Sequence, residues 1–355
     1  MTSAPQYSSL PDGTLQRCDG TLVALSLDRF RDEIVCGDSC FICCAQRDEK
    51  EFNDEHVIPA WVLRQCDIAQ SAITLPNGKP YPYSRYKVPC CVECNAELGD
   101  RVETPISRLF KLSYDDFVHA LVEESPTRIL QLFHWLNLLF LKTHLKDRLL
   151  PFHLDNRLSS DKIADHIDWA RLHHVHCIAR GHFTAAAIDH RTIGSVFVLQ
   201  AVCKKPLDRF DYGDLVGAQS MMVRINDIAL VAVLDDSCAC YSAQPQFIKD
   251  VKGRLGPLQL REVLGRLAHM NLCLKERPVF HSSIVDGQYC IGVDLPDRVE
   301  FIEITPAEVG EVMHAACKSF IAGYPEKERL ELETNILSGK WTFLRDADGN
   351  FIRQE

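Results

Sequence analysis

Two pairs of cysteines in the amino-terminal third have the spacing of metal ligands. Cys40 and Cys43 form one Cys-x-x-Cys pair, and Cys91 and Cys94 form the other. Two thiolates at this spacing can bind one tetrahedral ion from a single tight turn, so two pairs complete a four-thiolate zinc site. The chain contains 16 cysteines, and eight of them fall within residues 36–94. The sequence therefore predicts a structural zinc site formed by these four cysteines.

The sequence leaves other roles open for these thiols. Cys44 and Cys90 are adjacent to the predicted ligands and allow a shifted register, although Cys90 in place of Cys91 gives up the two-residue spacing. A thiol redox switch is less favoured, because redox pairs of this kind accompany a βαβ pattern that is not visible here. The later cysteines in mostly apolar surroundings are interpreted as small buried residues: Cys203, Cys238, Cys240, Cys273, Cys290 and Cys317.

The 47 residues between Cys43 and Cys91 contain an adjacent acid and histidine, Glu55 and His56, in the stretch DEHVIPAW. Pro59 suits the first turn of a helix that continues through AWVLRQ, so the Glu-His pair should lie on the strand or loop that enters this helix. Such a pair suits phosphodiester hydrolysis, because a carboxylate can hold a divalent cation while a neutral imidazole takes a proton from water. A Glu-His pair alone is more often structural.

The order of these residues gives the pair its context. The run from Cys40-x-x-Cys43 through Asp54-Glu55-His56-Val57-Ile58-Pro59 and Trp61 to Cys91-x-x-Cys94-Asn95 resembles the HNH endonuclease family, specifically its zinc-containing members with EHVIP and CxxCN motifs. The resemblance covers residues 36–112, about a fifth of the chain, and says nothing about the remainder.

The resemblance implies a ββα-metal module, in which two strands and a helix surround one catalytic divalent cation. It implies that His56 is the general base, that Glu55 is the acidic ligand of Mg²⁺ or Mn²⁺, and that Asn95 is the second ligand, on a helix that begins there. A carboxylate and an amide oxygen leave coordination positions for water and phosphate oxygens, as a hard cation requires.

One position departs from the family pattern. The middle Asn, which mainly orients the histidine, is replaced by Tyr86 in YSRYKVPCC. Asn77 occurs earlier and is interpreted as a turn residue beside Gly78. We therefore expect another group to orient His56 if the site is active.

The remaining patterns predict an α+β chain of four consecutive segments. These are a lead-in, the zinc-stapled HNH-like module, a helical segment and a larger α+β domain of unknown role, at residues 1–35, 36–112, 113–170 and 171–355. Ser125-Pro126 separates two helical runs, and the second is apolar on most of its surface but too charged near its end to span a membrane.

Within the last segment, helices are predicted at 257–274 and 306–321, and hairpin turns at Asn226-Asp227, Asp286-Gly287 and 346–350. Alternation in WARLHHVHCIAR predicts a strand with His174 and His176 on one face, and His173 beside them, in structural or solvent-facing roles. Asp235-Asp236 follows the strand-like IALVAVL and is interpreted as a solvated loop.

Charge and composition narrow the classes of partner. The net charge of −10 argues against a histone-like nucleic-acid binder, but it leaves room for a local basic surface. Residues that could form one, or could lie on an ordinary solvated face, are Arg85, Lys87, Arg101, Arg108 and Lys111. The chain has no long uncharged apolar run and no secretory-type start, so we expect a cytoplasmic protein without a membrane partner.

Two hypotheses follow. In the first, the protein is a metal-dependent HNH endonuclease that cleaves nucleic acid, with DNA the expected substrate. Its carboxy-terminal domain would gate or target cleavage through a protein partner or regulatory ligand, as in antiviral genome defence or mobile-element biology. In the second, it is a catalytically inactive, zinc-stabilised scaffold that binds nucleic acid or protein. The replaced middle Asn and the lack of a strongly basic region favour the second.

Overall fold

The computed structural model describes residues 7–75, 78–153, 155, 157, 159–303 and 305–354. Asn77, interpreted above as a turn residue, lies outside the described residues. The strands are β1 (Tyr7–Ser9), β2 (Leu15–Arg17), β3 (Leu22–Ala24), β4 (Glu55–His56), β5 (Ala72–Thr74), β6 (Pro80–Pro82), β7 (Lys87–Val88), β8 (Ala187–Ile188), β9 (Val196–Gln200), β10 (Phe210–Leu215), β11 (Ser220–Ile225), β12 (Ile228–Val233), β13 (Val279–Val285) and β14 (Gln288–Asp294).

The α-helices are α1 (Leu27–Arg29), α2 (Ala60–Gln65), α3 (Val92–Leu98), α4 (Thr104–Leu109), α5 (Tyr114–Glu123), α6 (Thr127–Asp147), α7 (Trp169–Ala179), α8 (Gly181–Thr184), α9 (Ala239–Ser242), α10 (Gln246–Lys249), α11 (Pro257–Leu272), α12 (Pro306–Ile321) and α13 (Glu326–Leu337). Short π-helical turns continue α1 at Phe30–Val35 and α3 at Gly99–Glu103. The chain is therefore a mixed α+β protein, as the sequence predicts.

The chain forms two compact units, each built from discontinuous ranges. Unit 1 comprises Met1–Lys111, Ala120–Thr192 and Val279–Asp294, and unit 2 comprises Leu112–His119, Ile193–Pro278 and Leu295–Glu355. The four predicted segments were consecutive, whereas the β13–β14 hairpin of the predicted last segment belongs to unit 1.

The centre of unit 1 is α6. Apart from His134, every residue from Leu132 to Leu145 is buried, which confirms the prediction of a buried helix. A helix surrounded by protein must be apolar on nearly all sides, as this one is. Within the described part of the chain, no helix has the length and apolar character needed to cross a membrane.

Small sheets complete unit 1. The strands β1, β2 and β3 form an antiparallel sheet, and β13, β14 and β8 form another in which β8 is parallel to β14. The predicted turn at Asp286-Gly287 joins β13 to β14, with φ values of 49° and 75°. Two further antiparallel pairs, β4 with β7 and β5 with β6, lie between the cysteine pairs in the sequence.

Unit 2 is organised around a four-stranded antiparallel sheet in the order β10-β11-β12-β9. Every residue of β11 and β12 is buried, and α11 packs its apolar side chains against one face of this sheet, where Met222, Val231 and Val233 lie. The predicted helices in this unit are confirmed as α11 and α12, and the Asn226-Asp227 turn joins β11 to β12. The helix α13, which packs with α12, was not predicted.

Three sequence interpretations are wrong. His173, His174 and His176 lie on helix α7, not on a strand, because tertiary packing overrides a short alternating pattern. Asp235 and Asp236 are buried, not solvated. Among the later cysteines, Cys240, Cys273 and Cys317 are buried, but Cys203 is exposed and Cys238 and Cys290 are half-buried.

Candidate metal centre and nuclease-like site

The four predicted zinc ligands come together. The Sγ atoms of Cys40, Cys43, Cys91 and Cys94 all lie within 4.8 Å of one another, and those of Cys43 and Cys91 are 3.7 Å apart. A tetrahedral zinc with Zn–S bonds of about 2.3 Å places its sulfurs about 3.8 Å apart. The donor set and its size therefore fit one metal ion such as zinc.

The first cysteine pair lies on a tight turn that aims both thiols at one point. Cys44 N donates to Cys40 O and Cys40 N donates to Ala45 O, both at 2.9 Å, and Cys44 takes the left-handed φ of 67° that closes the turn. Cys91 N donates to Cys40 Sγ at 3.4 Å, which is how structural thiolates are stabilised. Cys44 and Cys90 are not members of the four-sulfur cluster, so the shifted register is disfavoured.

The second cysteine pair begins a helix. Cys91 precedes the first residue of α3, and Cys94 is buried on its first turn. Val92 N donates to Glu51 O at 2.9 Å, and Phe52 bridges to Cys91, so the segment before Glu55 is tied to this pair. The metal centre and the Glu-His pair are therefore joined by only a few residues of hydrogen-bonded backbone.

Buried polar side chains from α6, α7 and the residues that follow them hold the backbone around the first cysteine pair. Arg180 Nε donates to Ile42 O, His176 Nε2 is 3.1 Å from Phe41 O, and Arg148 donates to Gly37 O at 2.7 Å. Arg180 and His176 are fully buried. Burial lowers the pKa of His176 well below its usual value, and Arg180 adds to this effect, so the ring is neutral and can donate one N–H to the carbonyl.

The thiols of the cluster require a cation to ionise together. The sulfur of Cys40 raises the pKa of Cys43 to about 12 and also raises the pKa of Cys94, because one sulfur already carries the negative charge that its neighbours hydrogen bond. A divalent ion removes this conflict by binding all four thiolates. The chemistry of the donor set therefore matches a structural metal better than a redox pair.

The Glu-His pair lies where the sequence predicts. Glu55 and His56 form β4, which pairs antiparallel with β7 so that His56 lies opposite Lys87. Pro59 then caps α2, which spans the predicted AWVLRQ. The following order, β7 and then α3 through Cys91, places a helix directly after this strand pair.

The Glu55 carboxylate is buried and bound to an internal lysine. Lys142 Nζ, from α6, lies 2.7 Å from Glu55 Oε1, 2.8 Å from His56 O and 3.3 Å from Glu103 Oε1. Lys142 is fully buried. Burial opposes the charge on Lys142, but the carboxylates of Glu55 and Glu103 outweigh it and raise the pKa of the lysine.

Glu103 shares this buried cluster. Burial raises the pKa of Glu103 to about 7, and Glu55 adds to this effect while Lys142 opposes it. Sequence reasoning missed both Lys142 and Glu103. The signal for Lys142 was its place in the apolar run LFHWLNLLFLK, since a charge within a buried helix needs a partner.

The imidazole of His56 is half-buried, and three positive side chains act on it. Burial lowers its pKa, and Lys87, Lys142 and Arg64 lower it further against the opposing effect of Glu55. Within the described ranges, the His56 ring, the Lys87 ammonium and the Arg64 guanidinium have no hydrogen-bonding partner. The site therefore offers a neutral imidazole on the residue opposite Lys87, with Arg64 as a second cation that acts on the ring electrostatically.

The other two positions named from the resemblance have protein partners. Asn95 lies within α3, which begins three residues earlier than expected, and its Nδ2 donates to Asn53 Oδ1 at 2.8 Å. Tyr86 is buried beside β7, and its hydroxyl donates to Asp147 Oδ1 at 2.7 Å while its carbonyl accepts from Val57 N. The Tyr86 hydroxyl is therefore directed to α6.

The α7 histidines His173 and His174 have structural partners. His173 Nε2 lies 2.9 Å from Leu25 O, and His174 stacks on Phe280 with ring centroids 4.3 Å apart. Both histidines line a cavity of about 280 Å³ within unit 1. In the described part of the chain, the four cysteines form the one group of His, Cys, Asp and Glu side chains close enough to hold a metal ion.

Asp235 and Asp236 hold the turn after β12. Asp236 accepts from Ser195 N at 2.7 Å, from Ser195 Oγ at 2.6 Å and from Cys240 N at 2.8 Å. Asp235 accepts from Asn271 at 2.6 Å and from Arg277 at 2.9 Å. These carboxylates are saturated by protein donors, which explains why the interpretation as a solvated loop fails.

Comparison with known proteins yields no relative: no family model, curated protein or solved structure matches this chain.

Proposed function

We propose that this protein is a metal-dependent phosphodiester hydrolase of the HNH type that acts on nucleic acid, with DNA as the expected substrate. The observation that carries the proposal is the environment of His56, a half-buried neutral imidazole on a short strand pair, opposite Lys87 and under the electrostatic influence of Arg64. Unpaired cations next to a neutral base suit a phosphate substrate, because they attract the anion and leave the base able to accept a proton.

The proposed roles follow from the side chains. His56 takes the proton from the attacking water, and Lys87 and Arg64 draw the phosphate towards it. Glu55 and Asn95 would hold Mg²⁺ or Mn²⁺, which, when bound, supplies charge stabilisation at the scissile phosphate. For Asn95 the amide oxygen suits this role, because the contact with Asn53 uses only its nitrogen. The four-cysteine cluster holds a structural zinc. This zinc fixes both ends of the segment between Cys43 and Cys91, which carries Glu55 and His56.

The rest of the chain is given a regulatory role in this proposal. Unit 2 would gate or target cleavage through a protein partner or a regulatory ligand, as in antiviral defence. A cytoplasmic location accords with such a role.

The test is plasmid cleavage by purified protein with Mg²⁺ or Mn²⁺, with zinc content measured on the same samples. His56→Ala should abolish cleavage while zinc content and thermal unfolding stay unchanged. His190→Ala is a matched control, because that imidazole is 80% exposed and lies elsewhere in unit 1. Undiminished cleavage by His56→Ala would refute the assignment of the base.

The second candidate function is an inactive, zinc-stabilised scaffold that binds nucleic acid or protein. The observation that favours it is the engagement of the Glu55 carboxylate by Lys142, because a carboxylate already paired with an ammonium is a poorer ligand for a divalent cation. This function predicts DNA binding without added Mg²⁺ or Mn²⁺, measured by fluorescence anisotropy, that weakens in Lys87→Met. Zinc-replete, folded wild type should then cleave nothing with either cation.

A further inference from the structure

We infer that Lys142 is the positioning residue of the nuclease-like site and supplies the orientation that Tyr86 does not. The expected effect of Lys142 on catalysis rests on the proposed function, whereas its expected effect on the local structure does not. Lys142 lies 86 residues from His56 in sequence, on a different element, and its ammonium group reaches the backbone of that residue directly.

The three contacts of Lys142 fix both members of the Glu-His pair. Nζ donates to His56 O at 2.8 Å, which restrains the backbone that carries the imidazole. It also donates to Glu55 Oε1 at 2.7 Å, which sets the direction of the carboxylate. An ammonium has three N–H donors, and the third is taken by Glu103 Oε1 at 3.3 Å. All three donors are therefore used, and the side chain has a single arrangement.

The burial of this cluster gives it rigidity. Lys142 is fully buried within α6, and Glu55 and Glu103 are nearly so, with 8% and 13% of their side chains exposed. A buried ion pair of this kind contributes little net stability compared with apolar packing, so its value lies in specifying one geometry. Because β4 is only two residues long, its pairing with β7 involves little backbone, and the contacts of Lys142 add to it.

Tyr86 occupies the position at which the HNH family has its orienting residue, but its side chain does not orient the His56 ring. Tyr86 contributes its carbonyl to Val57 N, but its hydroxyl is bound to Asp147. Within the described ranges, the His56 ring has no hydrogen-bonding partner. Orientation of His56 therefore comes from its backbone, and Lys142 is the side chain that binds it.

The experiment compares Lys142→Met, Lys142→Arg and the matched control Lys146→Met in the full-length protein. Lys146 is one turn further along α6, and its ammonium lies 5.3 Å from the Tyr81 ring. Cleavage is measured as kcat and as the Mn²⁺ concentration for half-maximal rate, on samples with equal zinc content and equal folded fraction. Hydrogen exchange of the Val57 amide, which is bonded to Tyr86 O at 2.9 Å, is measured on the same proteins without substrate.

Lys142→Met should lower kcat about 100-fold, as expected when a catalytic group is misplaced. Lys142→Arg should recover part of kcat, and Lys146→Met should match wild type. Exchange at Val57 should accelerate at least 10-fold in Lys142→Met alone, while exchange in α3 is unchanged. If Lys142→Met does not fold, the double variant Lys142→Met with Glu103→Gln removes one of the uncompensated acids and takes its place.

The outcomes separate this inference from the proposed function. A wild type that cleaves and a folded Lys142→Met that cleaves equally well would overturn the positioning role while leaving the nuclease proposal standing. A wild type that never cleaves, together with faster exchange at Val57 only in Lys142→Met, would sink the nuclease proposal and support the positioning role. Unchanged exchange at Val57 in an inactive protein would overturn both.

Discussion

The four-cysteine cluster and the Glu-His pair lie close together in the chain but are specified differently. In the cluster, four thiols converge within 4.8 Å, and a two-residue spacing brings together the members of each pair. At the Glu-His pair, the neighbours that decide the chemistry are Lys142 and Glu103, from distant positions. Candidate metal ligands at Cys-x-x-Cys spacing can thus be recognised from the sequence, whereas the partner of the Glu55 carboxylate depends on the helix that packs against it.

The two regions also differ in what they leave available. Every sulfur of the cluster is directed at the same point, so the arrangement has one chemical use. His56, by contrast, keeps an unpartnered, half-exposed ring beside Lys87 and Arg64, while Glu55 is already paired. The first region therefore fits a structural metal ion, and the second is where catalysis or binding is to be tested.

The largest expected effect comes from breaking the cluster. Cys94→Ser should lose the bound zinc and unfold unit 1, because the metal-binding free energy of such sites, about 10 kcal/mol or more, is part of the folding free energy. Cys90→Ser is the matched control, since Cys90 is buried next to a ligand but outside the cluster. Zinc content by atomic absorption and circular dichroism report the result. Full zinc retention in Cys94→Ser, or its loss only in Cys90→Ser, would reverse the ligand assignment.

The next prediction tests whether Arg180, which follows α7, supports the four-cysteine cluster. Arg180→Met should destabilise unit 1 by about 3 to 5 kcal/mol, because it removes buried donors from the carbonyls of Ile42 and Leu22. Urea unfolding and the rate of zinc release to a chelator measure this, and Arg191→Met is the exposed control. Zinc release at the wild-type rate in a destabilised Arg180→Met would show that the cluster does not depend on this contact.

A smaller effect is expected in unit 2, where carboxylates are structural. Asp236→Asn should lower the free energy of unfolding by about 2 kcal/mol, because it weakens the bonds to the amides of Ser195 and Cys240 and to the Ser195 hydroxyl. Asp297→Asn, at an exposed position, is the control. Calorimetry gives the stability, and zinc content and cleavage should be unaffected. Loss of divalent-cation binding without loss of stability would instead make this aspartate a ligand.

The smallest effect concerns pH. The folded-state pKa of His56 is lowered below its usual value of 6.5, so the neutral ring persists to more acidic pH than a free imidazole would. As the pH is lowered, the rate of cleavage should therefore fall, with a midpoint below pH 6.5. Removing a nearby positive charge favours the protonated ring, so Lys87→Met should move this midpoint upward by roughly 0.3 pH unit. Lys111→Met should not move it, and a midpoint at or above 6.5 in wild type would contradict the assignment.

Much of the fold was predictable where local pattern is strong. The helices α2, α11 and α12, the buried helix α6 and the turns at Asn226-Asp227 and Asp286-Gly287 follow from periodicity, proline position and turn chemistry. The prediction failed for α7, where a strand-like alternation of histidines lies on a helix packed against α6. It also failed at Asp235 and Asp236, since charge alone does not reveal whether partners such as Arg277 and Ser195 will surround a carboxylate.

The sequence by itself identified the four candidate metal-ligating cysteines and the position of the Glu-His pair between them, because each Cys-x-x-Cys pair and the Glu-His pair are recognised from residues a few positions apart. Only the tertiary structure decided that an internal ammonium binds Glu55 and the backbone of His56, and that Arg180 and His176 hold the first cysteine turn. The physical reason is that burial makes a charge or a polar group dependent on one specific partner, and that partner is chosen by the packing of α6 and α7.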